Sequence, residues 1–308
     1  MLLDAAGLYF RAFFGVPDRR TDPDEPPTNA VRGFLDMIAT LVFAHRPDGL
    51  VACWDDDWRP AFRVAAVPSY KTHRLAPDAT DEEATPPELA VQVPLVVKAL
   101  GALGLARVGS PGYEADDVIG TLADREEGRR RVDVVTGDRD LFQLVRDPSP
   151  GDAGVRVLYT ARGGVRDADV VDVAYLKSRY GVSGGDGYAD LAILRGDPSD
   201  GLPGVPGVGE KTAARLLATY GDLAGLIKAI DDDDPRLKGA QRAKLVGARG
   251  YLQVAPTVVR VARDCPLPPL DDALPSEVAD LRLLSELASG YRLTASIDRV
   301  LTALGIRS

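Results

Sequence analysis

Acidic residues occur in small groups that lie far apart in the chain. The groups are Glu114-Ala115-Asp116-Asp117, Asp138-Arg139-Asp140 and Asp197-Pro198-Ser199-Asp200, and two further acids, Asp4 and Asp55, each follow a short apolar run. Carboxylates that fold together repel one another strongly unless a cation lies among them. Carboxylate oxygens are also the ligands that Mg²⁺ and Mn²⁺ prefer in proteins. The sequence therefore predicts a divalent metal site, built from remote acids, that acts on phosphodiesters.

Each acidic motif taken alone also has a plainer interpretation. Asp138 and Asp140 could close a strand as an Asx turn, and the acids of 114–117 could cap the start of a helix. A single cap needs only one carboxylate, whereas this helix start carries three. The excess favours a cation or a basic partner at this position.

A glycine-rich segment, residues 204–212, follows the last acidic group directly. Gly207 and Gly209 allow the backbone to come close to a phosphate, and amides at the start of the next helix can bind it. Lys211 adds a positive charge, and Thr212 completes the turn. A P-loop needs Lys directly after its last glycine, but Glu210 stands there, which disfavours an ATPase. The segment is typical of a helix-hairpin-helix turn.

Composition excludes several classes of protein. The chain has 308 residues, 45% of them hydrophobic, which is enough for a sizeable core. Two cysteines and two histidines are too few for a disulfide framework or a His-rich zinc site, and they leave little material for Ser-His-Asp catalysis. The sequence shows no apolar stretch near the roughly 20 residues that cross a bilayer, and no signal-peptide pattern at its start. We expect an intracellular protein with no membrane partner.

The formal net charge of -9 argues at first against a nucleic-acid partner. Acids that hold cations would be neutralised by them, which leaves the basic residues free to meet phosphates locally. These residues are Arg11, Arg59, Arg63, Lys71, Arg74 and Lys211.

The elements that must position these residues follow from the apolar pattern. Runs at 50–54 and 132–136 read as strands, and the acids that follow them would lie at the carboxyl edge of a mostly parallel α/β sheet. A helix is predicted over 113–123, with Glu114 and Asp117 on one side of its first turn. Segment 58–87 reads as a mobile arch over the site, and 19–27 reads as a second segment of low order.

Helical patterns dominate from about residue 173. We therefore predict an α/β core over 1–172 and a helical helix-hairpin-helix module over 173–308, with the helices near 281–304 packing back on the core.

Six motifs, in this order along nearly the whole chain, resemble the bacterial 5′ nuclease family. This family includes flap endonucleases and the 5′-nuclease domain of bacterial DNA polymerase I. The motifs are Leu3-Asp4, Trp54-Asp55, Tyr70-Lys71-Thr72-His73-Arg74, Gly112-Tyr113-Glu114-Ala115-Asp116-Asp117, residues 136–144 (TGDRDLFQL) and residues 196–213 (GDPSDGLPGVPGVGEKTA).

The resemblance implies a PIN-like nuclease core joined to a module that grips duplex DNA, with two or three Mg²⁺ or Mn²⁺ ions and a potassium ion at the hairpin. By position, the first metal's surroundings are Asp4, Asp55, Glu114 and Asp116, the second's are Asp138, Asp140, Asp197 and Asp200, and Asp117 lies between them. Lys71 and Arg74 resemble arch residues that steady the scissile phosphate, and Tyr70 resembles an aromatic on which an unpaired base stacks. Arg11 and Arg63 are further candidates for holding the 5′ strand.

The resulting expectation is a structure-specific nuclease that hydrolyses DNA at 5′ flaps, free 5′ ends, nicks or gaps by a two-metal mechanism. RNA–DNA hybrids are a further expected substrate, and the protein is expected to be a monomer at the nucleoid in the cytoplasm. Two alternatives stay open: a noncatalytic protein that binds DNA junctions, and a PIN-type ribonuclease. The chain departs from the family pattern at Asp56 and Asp57, whose contact with metal is left open, and at Gly201, where Asn is frequent.

Overall fold

The computed structural model describes residues 1–20, 22, 24–126 and 130–307. These residues form a six-stranded sheet with helices on both faces. The strands are β1 Leu2–Asp4, β2 Val51–Cys53, β3 Ala106–Val108, β4 Val132–Thr136, β5 Val155–Tyr159 and β6 Asp169–Val171. They lie in the order β3-β2-β1-β4-β5-β6, and β6 is antiparallel to β5 while the other neighbours are parallel. The predicted mostly parallel α/β sheet is confirmed.

The helices follow the strands in the usual alternation and then continue alone. They are α1 Ala5–Gly15, α2 Asn29–His45, α3 Ala61–Ala66, α4 Pro87–Ala90, α5 Val93–Leu103, α6 Ala115–Arg125, α7 Val173–Tyr180, α8 Gly185–Arg195, α9 Glu210–Tyr220, α10 Leu223–Asp231, α11 Gly239–Gly247, α12 Arg249–Val259, α13 Leu281–Gly290 and α14 Thr294–Leu304. Among the described helices, none has both the length and the apolar character that crossing a bilayer requires.

Burial on both faces explains why the central strands are short and apolar. Leu3 and Ala52 point into one core layer with α1, α2 and α5, and Val51 and Val134 point into the other with α6 and α8. Alternate residues of a strand face opposite sides, and parallel sheets are covered on both. Helices α13 and α14 pack against α5 and α2, so the C-terminal residues belong to the first layer.

The strand register brings the predicted acids to one edge of the sheet. Leu3 pairs with both Ala52 and Val135, and Asp4 ends β1 beside Cys53 at the end of β2. Asp55 and Asp138 follow the ends of β2 and β4 by two residues each. Because carboxyl ends of parallel strands meet at the same edge, these three acids share it.

The two irregular segments differ in how much of them is described. Segment 58–87 contains α3, a short 3₁₀ turn at Thr72–Arg74 and an antiparallel bridge between Leu75 and Glu83, and it ends at the first residue of α4. In segment 19–27, residues 21 and 23 lie outside the described residues, and the others form neither helix nor strand.

Candidate active site

A cavity of about 500 Å³ opens at the carboxyl edge of the sheet, and we call it the acidic pocket. Its acidic lining comes from three strand ends, the start of α6 and the bridge of segment 58–87: Asp4, Asp55, Glu83, Glu114, Asp116 and Asp138. A second cavity of about 650 Å³, the side cavity, shares Asp4 and Asp138 with it. The side cavity adds Asp197, Arg11, Arg139, Phe14 and Tyr159 to its lining. Acids from six separate parts of the sequence therefore surround two adjoining cavities.

Backbone and side-chain hydrogen bonds fix the acids at the sheet edge. Asp4 caps α1 by accepting from the Gly7 amide at 2.9 Å, and its other oxygen accepts from Thr136 Oγ1 at 2.7 Å. Asp55 Oδ1 accepts from the Ala115 amide at 2.8 Å, at the first turn of α6. A Cβ at Gly7 would collide with the Asp4 carboxylate, so only glycine fits there. The two helix starts thus hold carboxylates rather than leaving them free.

Burial and mutual repulsion raise the pKa values of these carboxyls. Burial raises the pKa of Asp55 to about 7, and the charges of Glu114 and Asp4 add to the effect. The pKa of Asp116 is raised well above its usual range by burial and then by the charges of Asp138, Asp4 and Glu114. Each acid therefore feels the negative charge of the others, which is the relationship that a bound cation relieves.

A second acidic group continues from the pocket toward the helical part of the chain. The pKa of Asp140 is raised by burial and then by the charges of Asp138, Asp200 and Asp197. Asp197 caps the 3₁₀ turn Pro198–Asp200 by accepting from the Ser199 amide at 2.8 Å. Asp138 therefore lies between the first group and this second one.

The donor set tests whether divalent cations suit the pocket. It consists of carboxylate oxygens, which match hard cations such as Mg²⁺ and Mn²⁺. Within the described residues, no three Asp, Glu, His or Cys side chains surround a single point closely enough to form a ligand shell. Mg²⁺ usually keeps several waters and takes only one or two carboxylates directly, so open spacing is compatible with it. The residues fit cations that are held in part through water.

The hairpin between α8 and α9 lies directly after the second acidic group. Gly207 has a φ of 74°, a left-handed conformation that favours glycine. Gly209 is the N-cap of α9 and brings no side chain to satisfy the first amides of that helix. Lys211 is exposed in the first turn of α9. Free amides and a cation at a helix start form an anion-binding surface.

Comparison with known proteins identifies the family. Residues 1–181 match the family model for the 5′-3′ exonuclease N-terminal resolvase-like domain, and residues 184–281 match that for the 5′-3′ exonuclease C-terminal SAM fold. A 5′-3′ exonuclease of Streptomyces coelicolor is 57% identical over 307 residues, which cover 99% of both chains. The chain belongs to the 5′-3′ exonuclease family. The predicted family and the predicted class of enzyme, a nuclease, are thereby confirmed.

Other relatives of this 5′-3′ exonuclease chain agree with that assignment. A 5′-3′ exonuclease of Mycobacterium tuberculosis is 49% identical and covers 99% of this chain and 97% of its own length. DNA polymerase I of Mycobacterium bovis is 38% identical over 99% of this chain but only 32% of its own length. Among solved structures, the T5 D15 protein crystallised with metal ions has a TM-score of 0.63 at 16% identity, covering 99% of this chain and 98% of that one. Human GEN1 with Holliday junction DNA has a TM-score of 0.64 at 17% identity, covering 100% and 74%. These two structures show that the fold is that of PIN-like nucleases.

Basic side chains reach the acidic pocket of this 5′-3′ exonuclease from segment 58–87. Lys71 Nζ donates to Glu114 Oε2 at 2.7 Å, and this charge raises the Lys71 pKa against the opposing effect of burial. Arg74 Nη2 donates to Asp200 Oδ1 at 2.7 Å and to the Ser199 carbonyl at 3.1 Å. Both cations line the pocket, and each lies against one of the two acidic groups.

The structure places Arg63, a candidate for holding the 5′ strand, and Asp117, a candidate metal residue, against each other in the interior. Arg63 donates to Asp117 through two hydrogen bonds, and only 2% of its side chain is exposed. Asp117 is fully buried, lines neither cavity, and also accepts from the Ala262 amide at 2.7 Å. Each of the two charges is already matched in the interior, so neither is available to a ligand.

The structure places Tyr70, for which the resemblance implies stacking on an unpaired base, in the interior of the protein. The residue is 3% exposed, and its hydroxyl donates to Glu114 Oε1 at 2.8 Å. The ring also carries Lys71 Nζ 5.1 Å from its centroid. Tyr70 therefore helps to position Glu114 through its hydroxyl and Lys71 through its ring, and its ring is too buried to stack on a base.

The two acids after Asp55 lie outside both cavities. Asp56 packs against Gly109, where a Cβ would collide with its carboxylate, and Asp57 accepts from the Arg59 amide at 3.0 Å. They therefore serve local structure at the end of β2.

Three residues of the site were not found from the sequence. Glu83 lines the acidic pocket from the bridge with Leu75, but in the sequence it belongs to an acidic run within the predicted mobile arch and carries no motif of its own. Phe10 lines the same pocket, and its spacing from Gly7 on α1 could have indicated it. Lys244 lies beside Gly207, where a Cβ would be 2.5 Å from its Nζ, although α11 carries no motif that points to the hairpin.

Proposed function

We propose that this chain is a metal-dependent, structure-specific 5′ nuclease that hydrolyses DNA at 5′ flaps, free 5′ ends, nicks or gaps. The observation that carries the proposal is the convergence of six acids on one pocket, beside a second acidic group that leads into the hairpin. Relatives named as 5′-3′ exonucleases along their whole length support it. So do similar folds solved with DNA, among them the catalytic core of Rad2 with DNA substrate.

Two divalent cations, Mg²⁺ or Mn²⁺, are assigned to the two acidic groups. Asp4, Asp55, Glu114 and Asp116 would hold the first, and Asp138, Asp140, Asp197 and Asp200 the second. When bound, such cations supply charge for the transition state and a more acidic water. A similar structure solved with metal ions, the T5 D15 protein, supports the metals. A potassium ion is assigned to the hairpin, where backbone carbonyls would bind it.

Lys71 and Arg74 are assigned to binding the scissile phosphate. Lys71 is held in place by Glu114 below and lines the pocket, so its ammonium can turn from that carboxylate toward an incoming phosphate oxygen. Arg74 keeps 35% of its side chain exposed while it contacts Asp200, so its guanidinium offers further donors to the phosphate. Both residues would stabilise the negative charge that grows on the phosphate during hydrolysis.

The hairpin and α1 are assigned to the DNA strands on either side of the pocket. Backbone amides after Gly207 and Gly209, together with Lys211 and Thr212, would bind phosphates of the duplex. Arg11 lines the side cavity beside the highly exposed Phe14, which suits a path for the cleaved strand. Phosphate contacts of this kind fix position without reading sequence, as a structure-specific enzyme requires.

Further assignments belong to the same proposal. The chain divides into a nuclease core over 1–172, with an arch at 58–87, and a DNA-binding module over 173–308. It acts as a monomer at the nucleoid in the cytoplasm, and RNA–DNA hybrids are a further substrate.

The decisive experiment replaces Asp138, which lines both cavities. Asp138→Asn keeps the shape of the side chain and removes its charge, and cleavage of a 5′-labelled flap duplex with Mg²⁺ should fall by at least about a hundredfold. Asp298→Asn, at an exposed position of α14, is the matched control and should cleave like the unchanged protein. Undiminished cleavage by Asp138→Asn would remove the basis of the proposal, and cleavage of a matched RNA flap in preference to DNA would favour a ribonuclease.

A further inference from the structure

Arg195, the last residue of α8, carries a buried charge that the proposed chemistry does not use. Its side chain is 14% exposed, and neither terminal guanidinium nitrogen makes a hydrogen bond of ordinary geometry with the described residues. The Tyr188 hydroxyl is near enough that the guanidinium opposes the increase in the Tyr188 pKa that burial causes, but this hydroxyl also lacks a hydrogen bond of ordinary geometry among those residues. The Nε donates to the Gly196 carbonyl at 3.2 Å. Buried N–H groups without partners are costly, so a compensating interaction is needed.

Two carboxylates flank the guanidinium on opposite sides. Asp197 Oδ2 lies 3.7 Å from Nη2, and Glu210 Oε2 lies 4.0 Å from Nη1. Both distances are too long for hydrogen bonds, so the attraction is that of charges. Glu210 begins α9 directly after the hairpin, and its other oxygen accepts from Arg179 at 2.9 Å. Arg195 is therefore shared between the second acidic group and the hairpin.

The charge of Arg195 also reaches further into the second acidic group. It opposes the increase in the Asp140 pKa that burial and the neighbouring acids cause. A fixed positive charge that stabilises these carboxylates as anions also repels a second cation among them.

We propose that Arg195 is a positioning residue that holds Asp197 in register with the start of α9 and weakens the affinity of the second acidic group for its divalent cation. The inference rests on the proposed function, because it assigns Asp140 and Asp197 to a metal. Glu210 attracts the same guanidinium away from Asp197, and this attraction determines how strongly Arg195 lowers the metal affinity of the second acidic group.

Replacement of Arg195 should change metal affinity and turnover in opposite directions. Arg195→Met removes the repelling charge, so Mn²⁺ should bind the DNA-free protein about threefold to tenfold more tightly. The same change releases Asp197, so kcat on a 5′ flap should fall by about tenfold while KM stays within about twofold. A merely structural defect would weaken metal binding and turnover together.

Two further variants isolate the charge. Arg195→Lys keeps the positive charge and should bind Mn²⁺ within about twofold of the unchanged protein. Glu210→Gln leaves Asp197 as the remaining acidic partner of Arg195, and Mn²⁺ should bind about threefold more weakly. Arg282→Met removes an equal charge from an exposed position on α13, where 84% of the side chain is accessible, and should change nothing.

The measurement is titration of the DNA-free full chain with Mn²⁺, followed by the electron paramagnetic resonance signal of free Mn²⁺, alongside steady-state cleavage. Unchanged or weaker Mn²⁺ binding by folded Arg195→Met overturns the proposal. If Arg195→Met does not fold, Arg195→Lys and Glu210→Gln decide, and Mn²⁺ affinity unaltered by Glu210→Gln overturns the proposal. If the unchanged protein binds Mn²⁺ but cleaves no DNA, the proposed function fails, while the affinities still test Arg195.

Discussion

Arg63 and Asp117, 54 residues apart in sequence, form two hydrogen bonds of 2.7 and 2.6 Å in the interior between α3 and α6. Arg63 Nε also donates to the Val258 carbonyl at 3.0 Å, and Asp117 accepts from the Ala262 amide. The pair therefore joins the arch, the nuclease core and the chain that follows α12.

Removing one partner of this pair should destabilise the protein strongly. Arg63→Met leaves the Asp117 carboxylate buried without its partner, and the free energy of unfolding should fall by about 3–5 kcal/mol in a urea titration. The exposed pair of Arg282 and Glu286 is the control, and Arg282→Met there should cost no more than about 0.5 kcal/mol. A loss below about 1 kcal/mol for Arg63→Met would mean that the pair is not closed in solution.

Gly201 is expected to be required by the contact between the arch and the second acidic group. Its φ is 71°, and a Cβ would collide with the Ser69 carbonyl, beside the hydrogen bond from the Lys71 amide to the Asp200 carbonyl. Gly201→Ala should lower the free energy of unfolding by about 2–4 kcal/mol and reduce cleavage, because Lys71 shifts with Ser69.

Gly164→Ala separates this steric effect from backbone strain. Gly164 has a φ of 65°, but no atom of the described residues lies within 4 Å of the position that its Cβ would take. Thermal melting should show a loss of only about 1 kcal/mol at Gly164. Equal losses at the two positions would exclude the collision with Ser69 as the cause.

The raised pKa of Asp55 predicts how stability depends on pH when metal is absent. Its pKa is about 7 in the folded protein, above the ordinary value of 3.8, so the folded state binds the proton more tightly than the unfolded state does. This contribution to stability is fully present below pH 3.8, the ordinary value, and is lost progressively as the pH rises from there through 7. Asp55→Asn does not titrate at this position, so in EDTA its stability relative to the unchanged protein should increase between pH 5 and pH 8, by about 1–3 kcal/mol.

With saturating Mn²⁺ at pH 8, the unchanged protein should be more stable than Asp55→Asn, because only the carboxylate attracts the cation. The comparison needs melting curves of both proteins at the two pH values, with and without metal. An Asp55→Asn variant whose relative stability in EDTA does not increase between pH 5 and pH 8 would show that the carboxyl is not repelled by its neighbours.

Lys244 should contribute one phosphate contact at the hairpin. Its Nζ lies over Gly207, and removal of the charge by Lys244→Ala should reduce the salt dependence of duplex binding by about one unit in the slope of log K against log salt. Lys228→Ala is the control, because that exposed ammonium pairs with Asp232, the residue that directly follows α10. Binding should be measured in Ca²⁺ by fluorescence anisotropy, and identical slopes for the two variants would exclude the contact.

The acids that follow strands could be predicted because their position depends on local pattern. Asp4, Asp55 and Asp138 each come after an apolar run, and the rule for parallel sheets brings them to one edge. The hairpin could likewise be predicted from the sequence, because its glycines and Lys211 form one continuous motif.

The partners of the basic residues could not be predicted in the same way. From the sequence, Arg63 and Lys71 are both expected to meet phosphates, yet one meets Asp117 and the other Glu114 across 54 and 43 residues of chain. Sequence reveals the number of charges but not which of them meet in the interior. A buried pair and two exposed charges have the same residue types and differ only in tertiary contacts.

The junction around Arg63 and Asp117 has a consequence for dissecting the protein. The two stretches that match separate family models exchange interior hydrogen bonds there, and Gln143 adds one to the Val259 carbonyl and one from the Val261 amide. If the two stretches were expressed as separate fragments, Arg63 and Gln143 would lose the Val258 and Val259 carbonyls as acceptors. The amides of Val261 and Ala262 in the second fragment would lose the acceptors that the first fragment supplies. Residues 1–181 and 184–281 match two separate family models, but they should unfold together as one cooperative unit in heat or denaturant.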